Sequence, residues 1–284
     1  SVYVEQATVR ILPRPITLTA SPQERDYGDT LVLDGTAFTV TDVDGDSTLP
    51  NGEVIDTVTL SSAAGVNVGT YANGIEITGQ SGSNGFDAGN YDLSYVAGEL
   101  VVNRRAVTLT ASQQDRAYGD TVVLDETAFT VTDLDGDNAL PNGELIDTVE
   151  LNSATGVDIS TTSNVGTYAD EIAITGQAGS NGFNAGNYDL SYITGDLVVN
   201  QRAVTLTASQ QERFYGDTLI LDETAFTITD LDGDSALPNG ELIDTVALNS
   251  ATGVDISATS NAGTYADEIV ITGQAGSNGF DEDN

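Results

Sequence analysis

The chain repeats itself, and this feature constrains its fold more than any other. The tripeptide Tyr-Gly-Asp begins at Tyr27, Tyr118 and Tyr215, and Gly-Asn-Tyr-Asp-Leu-Ser-Tyr begins at Gly89 and Gly186. Tyr27 and Tyr118 are 91 residues apart, and Tyr118 and Tyr215 are 97 apart. The difference lies at one place. Gly65-Val66-Asn67-Val68 runs directly into Gly69-Thr70-Tyr71, whereas Gly156-Val157-Asp158-Ile159 is followed by extra residues from Ser160 to Asn164 before Val165-Gly166-Thr167-Tyr168. Such tolerance of insertion belongs to a surface hairpin loop. Residues 104–187 and 201–284 align without gaps and differ at 14 of 84 positions. The repeats are tandem modules, near copies of one another, and a repeat of this kind has to be recognised before the fold is assigned. The expected division is 1–13 as the closing strand of a preceding or neighbouring module, 14–103 as repeat 1, 104–200 as repeat 2, and 201–284 as repeat 3.

Within a repeat the apolar period is two. Val107-Thr108-Leu109-Thr110-Ala111, Ala128-Phe129-Thr130-Val131-Thr132, Val149-Glu150-Leu151, Ile172-Ala173-Ile174 and Tyr188-Asp189-Leu190-Ser191-Tyr192 are short, β-branched or aromatic runs, largely alternating, which is a strand pattern. Asn-Gly pairs at Asn51, Asn73, Asn84, Asn142, Asn181, Asn239 and Asn278 mark turns that require positive φ. Gly98 and Gly195, inside the terminal strand pattern, suggest bulges. Only the stretch from Leu140 to Ile146 suits a short helical turn. The expected class is all-β: tandem β-sandwich or β-grasp-like modules, with that turn in each. The joint Leu197-Val198-Val199-Asn200-Gln201-Arg202-Ala203-Val204 contains no flexible linker, which favours a rod. Arg14, Arg104, Arg105 and Arg202 cluster at such joints; a bridge between carboxylates of adjacent modules and simple charge relief both fit them.

Composition narrows function. With 44 Asp and Glu against 8 Arg, the formal net charge is -36, and Lys, His, Cys, Met and Trp are absent. Such a surface repels phosphates and anionic headgroups, so nucleic acid is excluded as an expected partner. No apolar run reaches a membrane span, so no direct insertion is expected, and the first residues carry no signal-peptide pattern, as in a mature chain or a fragment. Without His, Cys or Lys there is no serine or cysteine triad, no Schiff base and no Walker loop. Only a carboxylate pair of the glycosidase kind is left, and near-identical modules argue against a site that has to be built once. The expectation is no enzyme.

The three repeats carry one acidic loop each. Counting Asp42 as position 1, carboxylates stand at 1, 3, 5 and 12: Asp42, Asp44, Asp46 and Glu53, then Asp133, Asp135, Asp137 and Glu144, then Asp230, Asp232, Asp234 and Glu241. Oxygen ligands have this spacing in EF-hand loops, so calcium is the candidate ion. Against it, the glycine stands at position 4, not 6, and an acidic turn in an acidic protein fits equally well. At Tyr27-Gly28-Asp29 the expected roles are structural: a tight turn, a packed ring, and Asp29 capping the backbone after it. Tyr91 and Tyr95, four apart in a strand, are expected on one buried face.

An opening threonine-rich strand, Tyr27-Gly28-Asp29, then Gly69-Thr70-Tyr71, then Gly89-Asn90-Tyr91 resembles the MBG or YDG-type repeats of bacterial surface adhesins, over essentially the whole chain. The resemblance implies an extracellular or cell-surface location in filamentous-haemagglutinin-like proteins, where such modules act as extenders. The acidic loop lies outside the resembling motifs. The leading functional expectation is a stalk or extracellular fibre; the alternative is a multivalent module binding a carbohydrate or protein ligand on a host or cell surface. Repeat 3 stops short of the equivalents of Tyr188 to Asn200, a closing strand, while Ser1 to Pro13 resembles such a segment. Copies of the chain could then join head to tail in a filament by β-strand donation; the competing account is an array cut within a repeat.

Overall fold

The computed structural model describes residues 6–63, 65, 67–155, 161–251 and 258–284. Repeat 1 supplies seven strands: β1 Arg14–Ala20, β2 Gln23–Asp26, β3 Phe38–Asp42, β4 Val54–Ser61, β5 Gly69–Ser83, β6 Tyr91–Val96 and β7 Gly98–Asn103. Repeat 2 supplies the same seven: β8 Arg105–Ala111, β9 Gln114–Ala117, β10 Phe129–Asp133, β11 Leu145–Ser153, β12 Gly166–Ser180, β13 Tyr188–Ile193 and β14 Gly195–Asn200. Repeat 3 supplies four, β15 Val204–Ala208, β16 Phe226–Asp230, β17 Leu242–Ser250 and β18 Ile269–Ser277. The class is all-β. The Leu140–Ile146 stretch holds the expected turn, a 3-10 turn at Pro141–Gly143 that recurs at Pro50–Gly52 and Pro238–Gly240.

Each complete repeat has a three-stranded sheet, β3-β1-β6 or β10-β8-β13, and a four-stranded one, β2-β7-β5-β4 or β9-β14-β12-β11. In repeat 1, β1 pairs antiparallel with β3 (Leu18 opposite Val40) and parallel with β6 (Leu18 opposite Tyr95). β7 is central in the second sheet, antiparallel to β5 and parallel to β2. Period-two burial follows: Ile16, Leu18 and Ala20 of β1 and Leu100 and Val102 of β7 are 0–2% exposed and form the core with Ile75 and Ile77.

One glycine expectation holds and another changes. Gly98 and Gly195 each lie at a register shift of the expected kind, with the extra residues on the facing strand: Tyr71 pairs with Leu100 and Ile75 with Gly98, and Tyr168 pairs with Leu197 and Ile172 with Gly195. They stand where the chain leaves the first sheet as β6 or β13 and enters the second as β7 or β14, and a Cβ on Gly98 would lie 2.6 Å from the Ala20 carbonyl oxygen. Only glycine passes so close to backbone. Asn73-Gly74 is no loop: β5 runs through it, and the pair supplies extra residues of the shift between Tyr71 and Ile75. The other six Asn-Gly pairs do place Asn and Gly at positive φ.

The chain divides into two compact units that do not coincide with the repeats. One comprises 1–109, 131–147 and 178–191; the other comprises 110–130, 148–177 and 192–284. The first thus holds repeat 1 with the acidic loop and aromatic strand of repeat 2. The second holds the rest of repeat 2 with repeat 3. Among the described residues no helix is long and apolar enough to cross a membrane.

The candidate functional site is a repeated junction

In the first unit, all three residues of Tyr27-Gly28-Asp29 meet groups belonging to repeat 2. The Tyr27 hydroxyl donates to Glu144, which also accepts from Tyr188 at 2.7 Å. Gly28, at φ +86°, lies so close to Pro141 that a Cβ would fall 2.2 Å from the proline Cβ. Asp29 accepts from Arg105 Nη1 at 2.8 Å, so it is a junction residue and not the expected cap of its own backbone. In the second unit the same atoms recur: Tyr118 donates to Glu241, Gly119 abuts Pro238, and Asp120 accepts from Arg202 Nη1 at 2.7 Å.

Local structure explains the corner. Tyr27 and Tyr118 follow short strands, and their backbone N–H groups donate to Asn103 and Asn200 at 2.9 Å. Glycine at positive φ then turns the chain. The ring of Tyr27 meets Tyr188 edge-on, centroids 5.5 Å apart, and Tyr188 stacks on Phe183 at the same distance. Asn187 accepts from the Val68 amide at 3.2 Å and Asn284 from the Val165 amide at 3.0 Å, a second seam of the same junction.

The acidic loops are organised by arginine. Arg105 donates to Asp133 through Nε (3.1 Å) and Nη2 (2.9 Å), and Nη2 also meets Asp135. The other Asp133 oxygen accepts the Asp135 amide at 2.8 Å, and the Asp133 amide donates to the Asp137 carbonyl at 2.9 Å. Arg14 holds Asp42 and Asp44 in the same way, and Arg202 holds Asp230 and Asp232. The amides of Asp46 and Asp234 bond Asp42 and Asp230, whereas Asp137 accepts the Ala139 amide. The twelfth-position acids stand apart from these clusters on tyrosines: Glu53 on Tyr91, Glu144 on Tyr27 and Tyr188, and Glu241 on Tyr118. Among the described residues no group of three or more acids is arranged to hold a metal ion. Calcium at the predicted spacing would therefore have to displace the guanidinium from Asp133, and calorimetry of wild type against Asp133→Ala with Asp135→Ala tests that competition.

The electrostatics follow from burial and partners. Burial and the Glu144 bond both raise the Tyr188 pKa far above the tyrosine range, and they raise Tyr27 in the same direction. Tyr91, buried and bonded to Glu53, is pushed up to about 12. Burial disfavours charge on Arg105 and Asp133, but their mutual hydrogen bonds outweigh it, so the arginine is raised and the aspartate lowered. Arg105 and Arg202 are the bridges between carboxylates of adjacent repeats that their positions suggested. Arg104 instead reaches the Gly186 carbonyl at 3.2 Å. Tyr91 is buried as expected, but Tyr95 is 44% exposed and donates to Gln80; alternation assigns a face, not how far its cover extends.

Sequence reading did not connect Pro141 or Glu144 with Tyr27. The signal was present: Tyr-Gly-Asp and Pro-Asn-Gly-Glu recur together in all three repeats, yet the partners are over a hundred residues apart.

These modules define a class, tandem all-β repeats of adhesin-like proteins. The chain matches the family described as MBG domain (YGX type) over residues 16–101 and again over 107–198, and it belongs to that family. The comparison with curated proteins gave no match.

Proposed function

We propose that the chain is a non-enzymatic structural repeat protein, the extender or stalk of a cell-surface adhesin or extracellular fibre. The observation that carries this reading is the twofold recurrence of one junction, Tyr27-Gly28-Asp29 on Pro141, Glu144 and Arg105, and Tyr118-Gly119-Asp120 on Pro238, Glu241 and Arg202. A joint built from a buried aromatic, a close glycine contact and a multidentate guanidinium resists bending, which is what a spacer needs. The buried carboxylates Asp133 and Glu144 are engaged by Arg105 and Tyr188, and Glu171, more buried still, accepts from Ser153 and Thr155. Small-angle scattering of the full chain against Arg105→Ala with Arg202→Ala tests the reading. The expected result is a stiff, extended wild type that becomes flexible in the variant. A wild type already flexible would overturn it, and micromolar binding on a glycan array would favour the multivalent ligand-binding alternative.

A further inference from the structure

Each repeat carries a strand-like segment that belongs to neither sheet. It follows the Tyr-Gly-Asp corner directly: Thr30-Leu31-Val32-Leu33, Thr121-Val122-Val123-Leu124 and Thr218-Leu219-Ile220-Leu221. Burial alternates along it as in a strand. The second and fourth residues are half-buried, and the β-branched residues between them, Val32, Val123 and Ile220, are 83%, 86% and 85% exposed. Yet the segment joins no ladder, and among the described residues no hydrogen bond reaches an amide or carbonyl of these four residues in any repeat. The copy in repeat 2 stands between two other repeats and is as open as the rest, so the feature does not depend on where the chain begins or ends.

Both ends of the segment are tied down. Before it, Arg25 Nη1 donates to the Asp29 carbonyl at 2.6 Å, as Arg116 does to Asp120 at 3.1 Å and Arg213 to Asp217 at 2.9 Å. After it, the Asp34 amide donates to Gln23 Oε1 at 2.8 Å and the Asp34 carbonyl accepts from Gln23 Nε2 at 3.2 Å, so one side-chain amide takes the place of a strand partner. Gln114 and Gln211 hold Asp125 and Asp222 in the same way. Gln23 and Arg25 are alternate residues of β2, an outer strand of the second sheet. Side chains of that strand fix the segment at its two ends and leave the backbone between them without partners.

An edge of this kind is normally blunted by lysine, proline or a bulge. None of the three copies contains a charge, a proline or a glycine. Their frame is acidic: Asp34, Asp125 and Asp222 close the segments, and Glu126 and Glu223 follow in repeats 2 and 3. The Thr36 hydroxyl and amide both donate to the Asp34 carboxylate and hold it below the usual carboxylate range, as Thr127 and Thr224 do for Asp125 and Asp222, so these charges persist in mild acid. A second copy of the chain would bring its own net charge of -36 to this edge. A cationic strand is attracted to it instead.

We propose that residues 30–33, 121–124 and 218–221 are docking edges for an extended, basic peptide segment of another protein, which adds to them as a β-strand. Main-chain hydrogen bonds supply the affinity, packing across Val32, Val123 or Ile220 aligns the strand, and its lysine or arginine side chains meet the closing aspartate. Because the ends are already fixed, binding has little of this chain left to order. Repetition of the edge gives avidity toward a partner with several such segments. The inference goes beyond the stalk reading, since a stiff or a flexible array could carry these edges alike.

The probe is a synthetic peptide of alternating lysine and valine, added to the full-length chain in physiological salt, with hydrogen exchange read residue by residue. In the free chain the amides of 30–33, 121–124 and 218–221 should exchange rapidly; the peptide should slow them about tenfold or more and saturate at one peptide per repeat. Two controls separate main-chain pairing from bulk charge. The same peptide N-methylated throughout keeps its charge, loses its donors and should give no protection, and a peptide of alternating glutamate and valine should give none either. Val32→Pro with Val123→Pro and Ile220→Pro removes donors that no described residue uses, and should abolish protection of the remaining amides at an unchanged melting temperature. If that variant unfolds, Val32→Asp with Val123→Asp and Ile220→Asp, which alters only outward side chains, should weaken binding of the lysine–valine peptide about tenfold in calorimetry. Equal protection by the N-methylated peptide, or unchanged exchange at saturating lysine–valine peptide, would overturn the proposal. Amides that slow as the chain alone is concentrated would make a second copy the occupant and overturn it as well. Scattering by the chain without peptide judges the stalk reading, so the two fail by different measurements.

Discussion

Repeats 2 and 3 share nearly one sequence but not one secondary structure. Gly166-Thr167-Tyr168-Ala169-Asp170-Glu171 opens the long strand β12, while the identical Gly263-Thr264-Tyr265-Ala266-Asp267-Glu268 forms no strand, and Gln114–Ala117 is a strand where 211–214 is not. The first pair is identical and the second gains Phe214, a better strand former than Ala117, so propensity does not explain the loss; what differs is β14, which supplies ladder partners on both sides in repeat 2. Strand formation here follows from pairing and burial more than from local preference.

The comparison breaks most sharply if repeat 2 is made to resemble repeat 3. Leu197→Ala, removing a side chain 3% exposed at the centre of β14, should cost about 2–5 kcal/mol. Hydrogen exchange at 114–117 and 166–171 should then rise toward that at 211–214 and 263–268; unchanged protection would contradict the account.

The two corners sharpen it further. Gly119→Ala meets a positive φ and the Pro238 ring, with a Cβ 2.2 Å from the proline Cβ, whereas Gly216→Ala meets only the positive φ. Backbone strain costs about 1 kcal/mol and overpacking adds about 1–3, so thermal unfolding should separate the variants by the latter amount. A smaller contrast is expected between Tyr118→Phe and Tyr215→Phe. The first removes the hydroxyl from buried Glu241, a bond to a charged group contributing about 1.5–3 kcal/mol, while the second alters a side chain 69% exposed and should leave the chain unmoved.

How much of this was legible beforehand varies with sequence distance. Alternation in Val107-Thr108-Leu109-Thr110-Ala111 and positive-φ Asn-Gly turns are local, and they were readable. The crossing at Gly98 and the exposure of Tyr95 depend on which sheet a strand joins, which a period of two does not encode. The 1, 3, 5, 12 spacing identified real loops, but Arg105 and two tyrosines engage those acids from positions far along the chain. A composition poor in arginine hid the fact that three of the eight sit where they organise these loops.

The smallest effect is on pH dependence. Tyr118, Tyr27 and Tyr188 are raised by burial and then by their Glu partners. Folding favours their protonated forms, so this stability is full below the ordinary tyrosine pKa near 10 and is lost as pH climbs through the folded values. Asp230, held by Arg202, and Asp133, held by Arg105 against burial, are lowered. Their stability is present above the ordinary carboxylate pKa near 4 and is lost as pH falls through the folded values. Phenolate absorbance should show Tyr91 titrating near 12, and melting temperature should fall at both extremes; a flat profile above pH 10 would remove the tyrosine contribution.

The offset between compact units and repeats bears on how such a gene can change length. Every junction is written with the same residues on both sides: Tyr, Gly and Asp upstream, Arg, Pro and Glu downstream. Unequal recombination between near-identical stretches removes or adds one whole period wherever the crossover falls. The new neighbours then inherit a corner and a loop that already fit, so copy number can drift without any joint having to be redesigned.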